Sequence, residues 1–145
     1  MFEIQIKLKG TALQERDIDD VLMNFLSDIG YLKEIKNSNE AEEIKNSVPY
    51  RLFKECFLLR SDRYWTPEEL MATLNTTKPT LYRHLNRLKN LDLLDEVQDG
   101  KVKKYRLRNG KLSDSWHFVE ANVKIAMDNY RKIVDYIEKM VMKYG

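Results

Sequence analysis

Arg83, Asn86 and Arg87 fall on one side of any helix that turns Leu81, Leu85 and Leu88 inward, because residues three and four apart share a helix face. Pro79 shares that outer side, Lys78, Thr80 and Tyr82 run along its flanks, and Thr77 stands at its start. These are hydrogen-bond donors and cations, not groups that make or break covalent bonds. An Arg guanidinium matches two acceptors on guanine, an Asn amide matches adenine, and Thr or Tyr hydroxyls reach phosphate oxygens. Such a face has the chemistry to enter the major groove of a duplex. His84 sits beside the leucine stripe, where an imidazole serves structure more readily than base contact.

No comparable set of residues points to a reaction. The 5 glycines form no phosphate loop or dinucleotide fingerprint, and the 2 histidines with Cys56 make no triad, so an enzyme is not expected. Cys56 is the single cysteine, which rules out an internal disulfide and a zinc site of several thiolates from one chain. It shares a face with Leu52, Phe53 and Phe57 in a segment that starts at Ser47 and Pro49, and reads as a small core hydrophobe. Asp114, His117 and Glu120 recur at three-residue spacing, but with no second His further along they are a thin ligand set. Neither metal nor cofactor is expected.

Charge is unevenly spread behind a net value of +2. Residues 1 to 49 carry 6 Lys and Arg against 10 Asp and Glu, residues 50 to 111 carry 14 against 8, and residues 112 to 145 carry 5 against 5. The basic middle coincides with the donor-rich helix and suits a polyanionic partner. No apolar run approaches the ~20 residues of a membrane-crossing helix. The first ten residues alternate and lack the continuous apolar core of an export signal, so a cytoplasmic location is the expectation.

The elements that must position this face follow from spacing. Phe2, Ile4, Ile6 and Leu8 alternate with polar residues up to Gly10, which predicts a half-buried strand. Asp17 then caps an amphipathic helix whose stripe runs through Ile18, Val21, Leu22, Phe25, Leu26, Ile29 and Leu32. Residues 36 to 47 are polar but for Ile44 and read as a connection or a weakly ordered extension of that helix. Thr66-Pro67-Glu68-Glu69 spells a capping box, and Leu70, Met71 and Leu74 give two apolar turns before Asn75-Thr76-Thr77 interrupts them. Thr77 caps the next helix, over about residues 77 to 91, with Leu91 closing its last turn. Asp99-Gly100 then predicts a type I′ hairpin between residues 93 to 98 and 101 to 107, with Val97 opposite Val102, Asp95 opposite Lys104, and Glu96 opposite Lys103. Leu94, Tyr105 and Leu107 point inward in that register.

Helix, turn, the LYRHLNRLKNLDLL helix and the DEVQDGKVKKYRL hairpin together resemble the winged helix-turn-helix of ArsR-type and MarR-type transcription regulators. The resemblance covers residues 47 to 111, and its most specific stretch is Thr80 to Leu85 with the leucines that follow. It departs at Thr76, where an apolar residue is usual, and at Asp92, where a Gly commonly ends the recognition helix; Asp accepts the left-handed conformation better than most residues. The resemblance implies a mainly α fold with a small β-sheet and a dimer binding double-stranded DNA, one recognition helix per major groove and the wing near the backbone. Thr77, Lys78, Thr80, Tyr82, Arg83, Asn86 and Arg87 are then the candidate groove residues, and Lys101, Lys103 and Lys104 the candidate phosphate contacts. Counting Arg106 and Arg108 as well, the wing's cations exceed Asp95, Glu96 and Asp99 by only two, which limits its grip on phosphate. That half-neutralised wing keeps a second option open, a winged helix serving as a protein-protein interaction module of transcription or replication machinery.

From Leu112 through Trp116, Val119, Val123, Ala126, Tyr130, Ile133, Ile137 and Met140 to Tyr144, apolar residues alternate by four and three. Such a seam predicts one long helix of about 48 Å at ~1.5 Å per residue, more than one small domain covers. A C2 homodimer through Trp116, Val119, Val123, Tyr130, Ile133 and Ile137 is the expectation, against an intramolecular bundle with the helix that begins at Asp17. Three parts result: a strand-helix appendage over 1–46, the winged helix-turn-helix over 47–111, and the long dimerisation helix over 112–145. A small-molecule effector between the appended helices is an open option whose ligand nothing in the sequence marks.

Overall fold

The computed structural model describes residues 2–5 and 17–144, built mainly of helix with one two-stranded antiparallel sheet. Helix α1 (Ile18–Asp28) starts where the sequence predicts, because the Asp17 carboxylate accepts from the backbone N–H of Asp19 at 2.7 Å and of Asp20 at 3.1 Å. It ends at Asp28, and the chain turns through Gly30 at φ 91. A turn, not further helix, therefore delivers Tyr31 and Leu32 to the core. Leu22, Met23, Leu26 and Ile29 are buried, whereas Ile18 and Val21 at the start of the predicted stripe stay exposed.

The polar run after Leu32, expected to be a connection or a weak extension, contains a helix of its own, α2 (Ser38–Lys45). The Asn37 side chain accepts from the N–H of Glu40 at 2.9 Å, and the Glu40 carboxylate accepts from the N–H of Lys36 at 2.8 Å. Two reciprocal caps and one buried side chain, Ile44, suffice to anchor a segment whose composition looked like loop. Phe2 to Gln5 also differ from expectation, for they join no sheet. The Glu3 N–H donates to the Asn90 carbonyl at 2.8 Å and the Gln5 N–H to that of Ile29 at 3.4 Å. Alternation reports only that every second side chain meets apolar surface, and here the carbonyls on offer belong to a helix end and a turn. Ile6, Leu8 and Gly10 lie outside the described residues.

Helix α3 (Val48–Arg51) runs on into a π-helical stretch, Leu52–Leu58, which buries Leu52, Phe53, Cys56 and Phe57 as predicted. Burial pushes the Cys56 thiol up to about 11, so it stays protonated and inert at neutral pH. One polar cluster ties α1 to this region: Asp19 accepts from the Tyr50 hydroxyl at 2.5 Å and from Lys54 Nζ at 2.6 Å, with Lys45 Nζ at 3.4 Å.

Helix α4 (Pro67–Leu74) has the full capping box between Thr66 and Glu69 and ends on Asn75 in the left-handed conformation, φ 51 and ψ 54. Helix α5 (Lys78–Asn90) follows and sinks Leu81, Leu85 and Leu88 completely. Asp92 leaves it at φ 59, the conformation anticipated for that position. Strands β1 (Leu94–Asp99) and β2 (Val102–Leu107) form the hairpin, but its turn is Gly100-Lys101 and not Asp99-Gly100. A type I′ turn on Asp99-Gly100 requires positive φ at both residues; the observed one, the Gly-first pattern of type II′, confines positive φ to Gly100 at 65°. Partners shift by two, so Val97 faces Lys104, Glu96 faces Tyr105 and Asp95 faces Arg106. A shift of two preserves the faces, and Leu94, Tyr105 and Leu107 point inward as expected.

Trp65 adds a third strand-like rung: its N–H and carbonyl exchange hydrogen bonds with those of Tyr105, both at 2.8 Å. A 3-10 turn, Arg108–Gly110, with Asn109 at φ 56 and Gly110 at φ 71, leads into helix α6 (Leu112–Tyr144). Buried side chains from Leu22 to Val119 form one cluster, so all three stretches delimited in the sequence contribute to the same core.

Candidate nucleic-acid interface

The leucines that fix α5 also fix what it presents. With Leu81, Leu85 and Leu88 fully buried, Thr77, Lys78, Arg83 and Asn86 stand exposed, with Thr80 and Tyr82 half-buried beside them. Among the described residues, Arg83 and Asn86 have no hydrogen-bond or ion-pair partner, so their donors are free for an outside acceptor. Lys78 lies over the Tyr82 ring at 5.9 Å.

Thr77 occupies the N-cap position but does not cap as expected. Its hydroxyl donates to the Thr80 hydroxyl at 3.1 Å, and no side chain accepts from the first-turn amides of α5. Intrahelical bonding begins with the Leu81 N–H on the Thr77 carbonyl at 3.0 Å, which leaves the Lys78 and Thr80 amides open. Helix α4 next to it is fully capped, and α5 is not. Open amides and the positive end of the helix dipole favour an anion at this spot. Sequence reasoning missed it, since a Thr ahead of a helix ordinarily closes those amides.

Arg87 is positioned otherwise than its place on the helical wheel suggested. Its Nη2 donates to the Gly30 carbonyl at 3.1 Å and its guanidinium lies 5.5 Å from the centroid of the buried Tyr31 ring. The Asn90 carbonyl one turn on holds Glu3. The last turn of α5, from Arg87 to Asn90, is thus engaged with the N-terminal part of the chain, and the open polar face runs from Thr77 to Asn86. His84 is buried beside the leucines, and its Nδ1 has no partner among the described residues. Burial, then the charges of Arg83 and Arg87, lower its pKa to about 4, so it is neutral at pH 7 and belongs to the core.

On the wing, Lys101 extends without a partner among the described residues, Lys103 Nζ lies 3.6 Å from Glu96 and Lys104 Nζ 3.2 Å from Asp99. Burial works to raise the Glu96 carboxyl; Lys89, the Tyr105 hydroxyl and Lys103 outweigh it and hold the group below the usual carboxylate range. Arg106 and Arg108 are turned to Asp95, at 4.0 Å and 3.5 Å. The wing's cations are therefore more fully paired than a count of charges indicated, and Lys101 at the tip is the freest.

Along α6, Val119 is fully buried in the chain's own core and Trp116 packs edge-on against Phe25 with ring centroids 5.3 Å apart. Val123 is half-buried against the same core. From residue 127 to 144 every residue is exposed, including Tyr130 at 64%, Ile133 at 52% and Ile137 at 52%. The seam is covered by the chain's own core near its root and bare beyond it. A groove of about 480 Å³ lies between Phe2–Gln5, Gly30, Arg87 and Tyr130, and none of residues 77 to 86 lines it. Asp114, His117 and Glu120 do not assemble a ligand set, and no helix among the described residues is long and apolar enough to cross a membrane.

A family of helix-turn-helix domains matches residues 46–97, from just before α3 to the middle of β1. No curated protein matches the chain. The chain thus carries a helix-turn-helix domain, completed by a two-stranded hairpin in the manner of a winged helix, and this domain class points to a DNA-binding regulator. The match covers about a third of the chain, and α1, α2, β2 and α6 lie outside it or reach beyond it.

Proposed function

We propose that the protein is a homodimeric, sequence-specific regulator of transcription that seats the face of α5 from Thr77 to Asn86 in the major groove of duplex DNA. The observation that carries this reading is the pair Arg83 and Asn86, exposed and unpartnered on a helix whose opposite face is locked in the core. Arg83 and Asn86 read base edges, and Thr77, Lys78, Thr80 and Tyr82, with the open amides at the helix start, hold phosphates on either side. Lys101 touches the backbone from the wing tip, and Lys103 and Lys104 do so by exchanging an aspartate or glutamate for phosphate. Arg87, engaged with Gly30 and Tyr31, orients the helix from behind. In this division of labour residues 47–111 bind DNA, the helix from Leu112 joins two copies, and the N-terminal part braces the recognition helix through Glu3, Gly30 and Tyr31.

The bare stretch of α6 supports the dimer. Twelve large apolar side chains beyond Leu112 are more than two-fifths exposed, more apolar surface than one helix ordinarily leaves in water. A second copy covers it with the same seam, as a C2 contact requires. Two tests apply. Arg83→Ala is expected to weaken binding to a duplex selected from a random pool by about 1 to 3 kcal/mol, while Lys101→Ala weakens all duplexes alike and lowers the salt slope by about one. Unchanged affinity in both variants refutes the DNA reading. A strict monomer by light scattering at micromolar concentration refutes the dimer.

A further inference from the structure

Arg108 looks from its sequence position like one more cation for phosphate, yet its side chain is spent inside the protein. Nε donates to the Asp92 carbonyl at 2.8 Å, Nη2 lies 3.7 Å from the Asp92 carboxylate and Nη1 donates to the Asp95 carboxylate at 3.5 Å. Its guanidinium carbon lies over the Phe118 ring, 3.9 Å from the centroid. One side chain therefore touches Asp92, two residues past the end of α5, the second residue of β1, and α6. The junction is closed from the other side by α6 itself, where Asn122 Nδ2 donates to the second Asp92 oxygen at 3.0 Å.

Three further hydrogen bonds finish the joint. The Arg108 N–H donates to the Leu93 carbonyl at 3.0 Å, the Asn109 N–H to the Asp95 carboxylate at 3.0 Å, and the Ser115 hydroxyl to the Lys111 carbonyl at 2.9 Å. Asn109 and Gly110, in succession, have positive φ, so the chain reverses into α6 through a turn few other residues accept. A Cβ at position 110 meets the Ser61 carbonyl oxygen at 3.1 Å, which keeps this turn tight against the neighbouring loop. Arg is suited to such a node because a planar fork serves several acceptors and stacks on a ring at once, which a Lys cannot do.

We infer that Arg108 is a positioning residue, one that sets the direction in which α6 leaves the recognition helix and so the distance between the two recognition helices of a dimer. The inference rests on the dimeric DNA-binding reading for its consequence, though not for its geometry. Leverage makes the joint matter. Residues 127–144 extend about 27 Å at ~1.5 Å per residue, and a swing of roughly 10° at the root moves the tip by about 5 Å, more than the ~3.4 Å between base pairs. Looseness here blurs the spacing of half-sites without touching any base contact.

The test uses the full chain with spin labels on Asn86→Cys and Lys132→Cys, diluted with unlabelled protein so that distances within one protomer are read. Arg108→Lys, which keeps the charge, and Asn122→Ala, which opens the other side of Asp92, are each expected to broaden the distance distribution while cooperative unfolding persists. A distribution as narrow as that of the parent in both variants overturns the inference, whatever DNA does. On duplexes carrying two half-sites, Arg108→Lys is expected to reduce the preference for the selected spacing by about fivefold, with affinity for one half-site unchanged. Loss of salt slope on random duplex in Arg108→Ala, restored in Arg108→Lys, identifies a phosphate contact and overturns it too. If the parent binds no duplex, the regulator reading fails while the distance measurement still decides the role of Arg108.

Discussion

Replacing Arg87 by Ala separates what the helical wheel suggests from what the packed chain does. On the wheel Arg87 belongs with Arg83 and Asn86; in the fold it donates to the Gly30 carbonyl at 3.1 Å and stacks on Tyr31 at 5.5 Å. A charge-assisted bond of this kind contributes about 1.5 to 3 kcal/mol where well shielded, and a cation over an aromatic ring about 0.5 to 1 kcal/mol at an exposed site. Arg87 is exposed, so solvent screening reduces the pair to about 1 to 2 kcal/mol. At about 2 to 4 °C per kcal/mol for a protein of this size, Arg87→Ala is expected to lower Tm by about 2 to 8 °C. Arg83→Ala, with no intramolecular partner to lose, is expected to leave Tm within about 1 °C. On a selected duplex the order reverses: Arg83→Ala loses base discrimination, and Arg87→Ala retains the same preferred sequence. Differential scanning calorimetry and titration of a selected duplex against single-base variants measure both halves. An unchanged Tm in Arg87→Ala together with altered base preference refutes the assignment of Arg87 to the scaffold.

The Asp19 cluster carries an acid dependence. Lys54, then Tyr50, with help from Lys45, holds the carboxyl at about 2, below its ordinary 3.8, so its stabilisation is complete above about pH 4 and is lost as pH falls toward 2. Asp19→Asn is expected to cost about 1 to 2 kcal/mol in urea unfolding at pH 6, allowing for solvent around the cluster, and much less at pH 2.5. His84 works in the same direction from another cause. Its folded pKa of about 4 lies below the ordinary 6.5, so the unfolded chain takes up a proton first and stability falls as pH drops from 6.5 to 4. A His84→Phe variant should lack that component, and an NMR titration of the parent should show the His84 ring unprotonated at pH 6. Leu85→Ala, at a fully buried position between the two faces of α5, is expected to cost about 2 to 5 kcal/mol and to abolish DNA binding through loss of the fold, seen as parallel loss of Tm and affinity. Ending the chain after Ala126 removes the bare seam but leaves Trp116 and Val119 in place, so a folded monomer is expected by sedimentation.

Periodicity and local chemistry made much of the fold legible. Leu81, Leu85 and Leu88 declare their helix because a stripe at i, i+4 and i+7 has one economical burial, and Thr66 with Glu69 marks a helix start because their groups satisfy each other locally. The hairpin faces survived an error of two in register, since the side-chain period of a strand is itself two. Segments whose structure depends on partners elsewhere were harder to read. Helix α2 hangs on Ile44 and two caps, Phe2–Gln5 bond to Asn90 and Ile29, and Trp65 becomes a rung only because Tyr105 lies beside it.

The same division holds for the candidate site. Sequence by itself determined that residues 66 to 107 form a helix-turn-helix with a hairpin, that Arg83 and Asn86 face outward, and that residues 112 to 144 form one long helix, since each of these follows from neighbours within a few turns. Only the tertiary structure decided which donors remain free. Arg87 is claimed by Gly30, 57 residues away in the chain, and Arg108 by Asp92 and Phe118, while Thr77 turns to Thr80 and leaves the amides of α5 open. A donor's availability is set by whatever acceptor the folded chain brings within about 3 Å, and no local pattern encodes that distance.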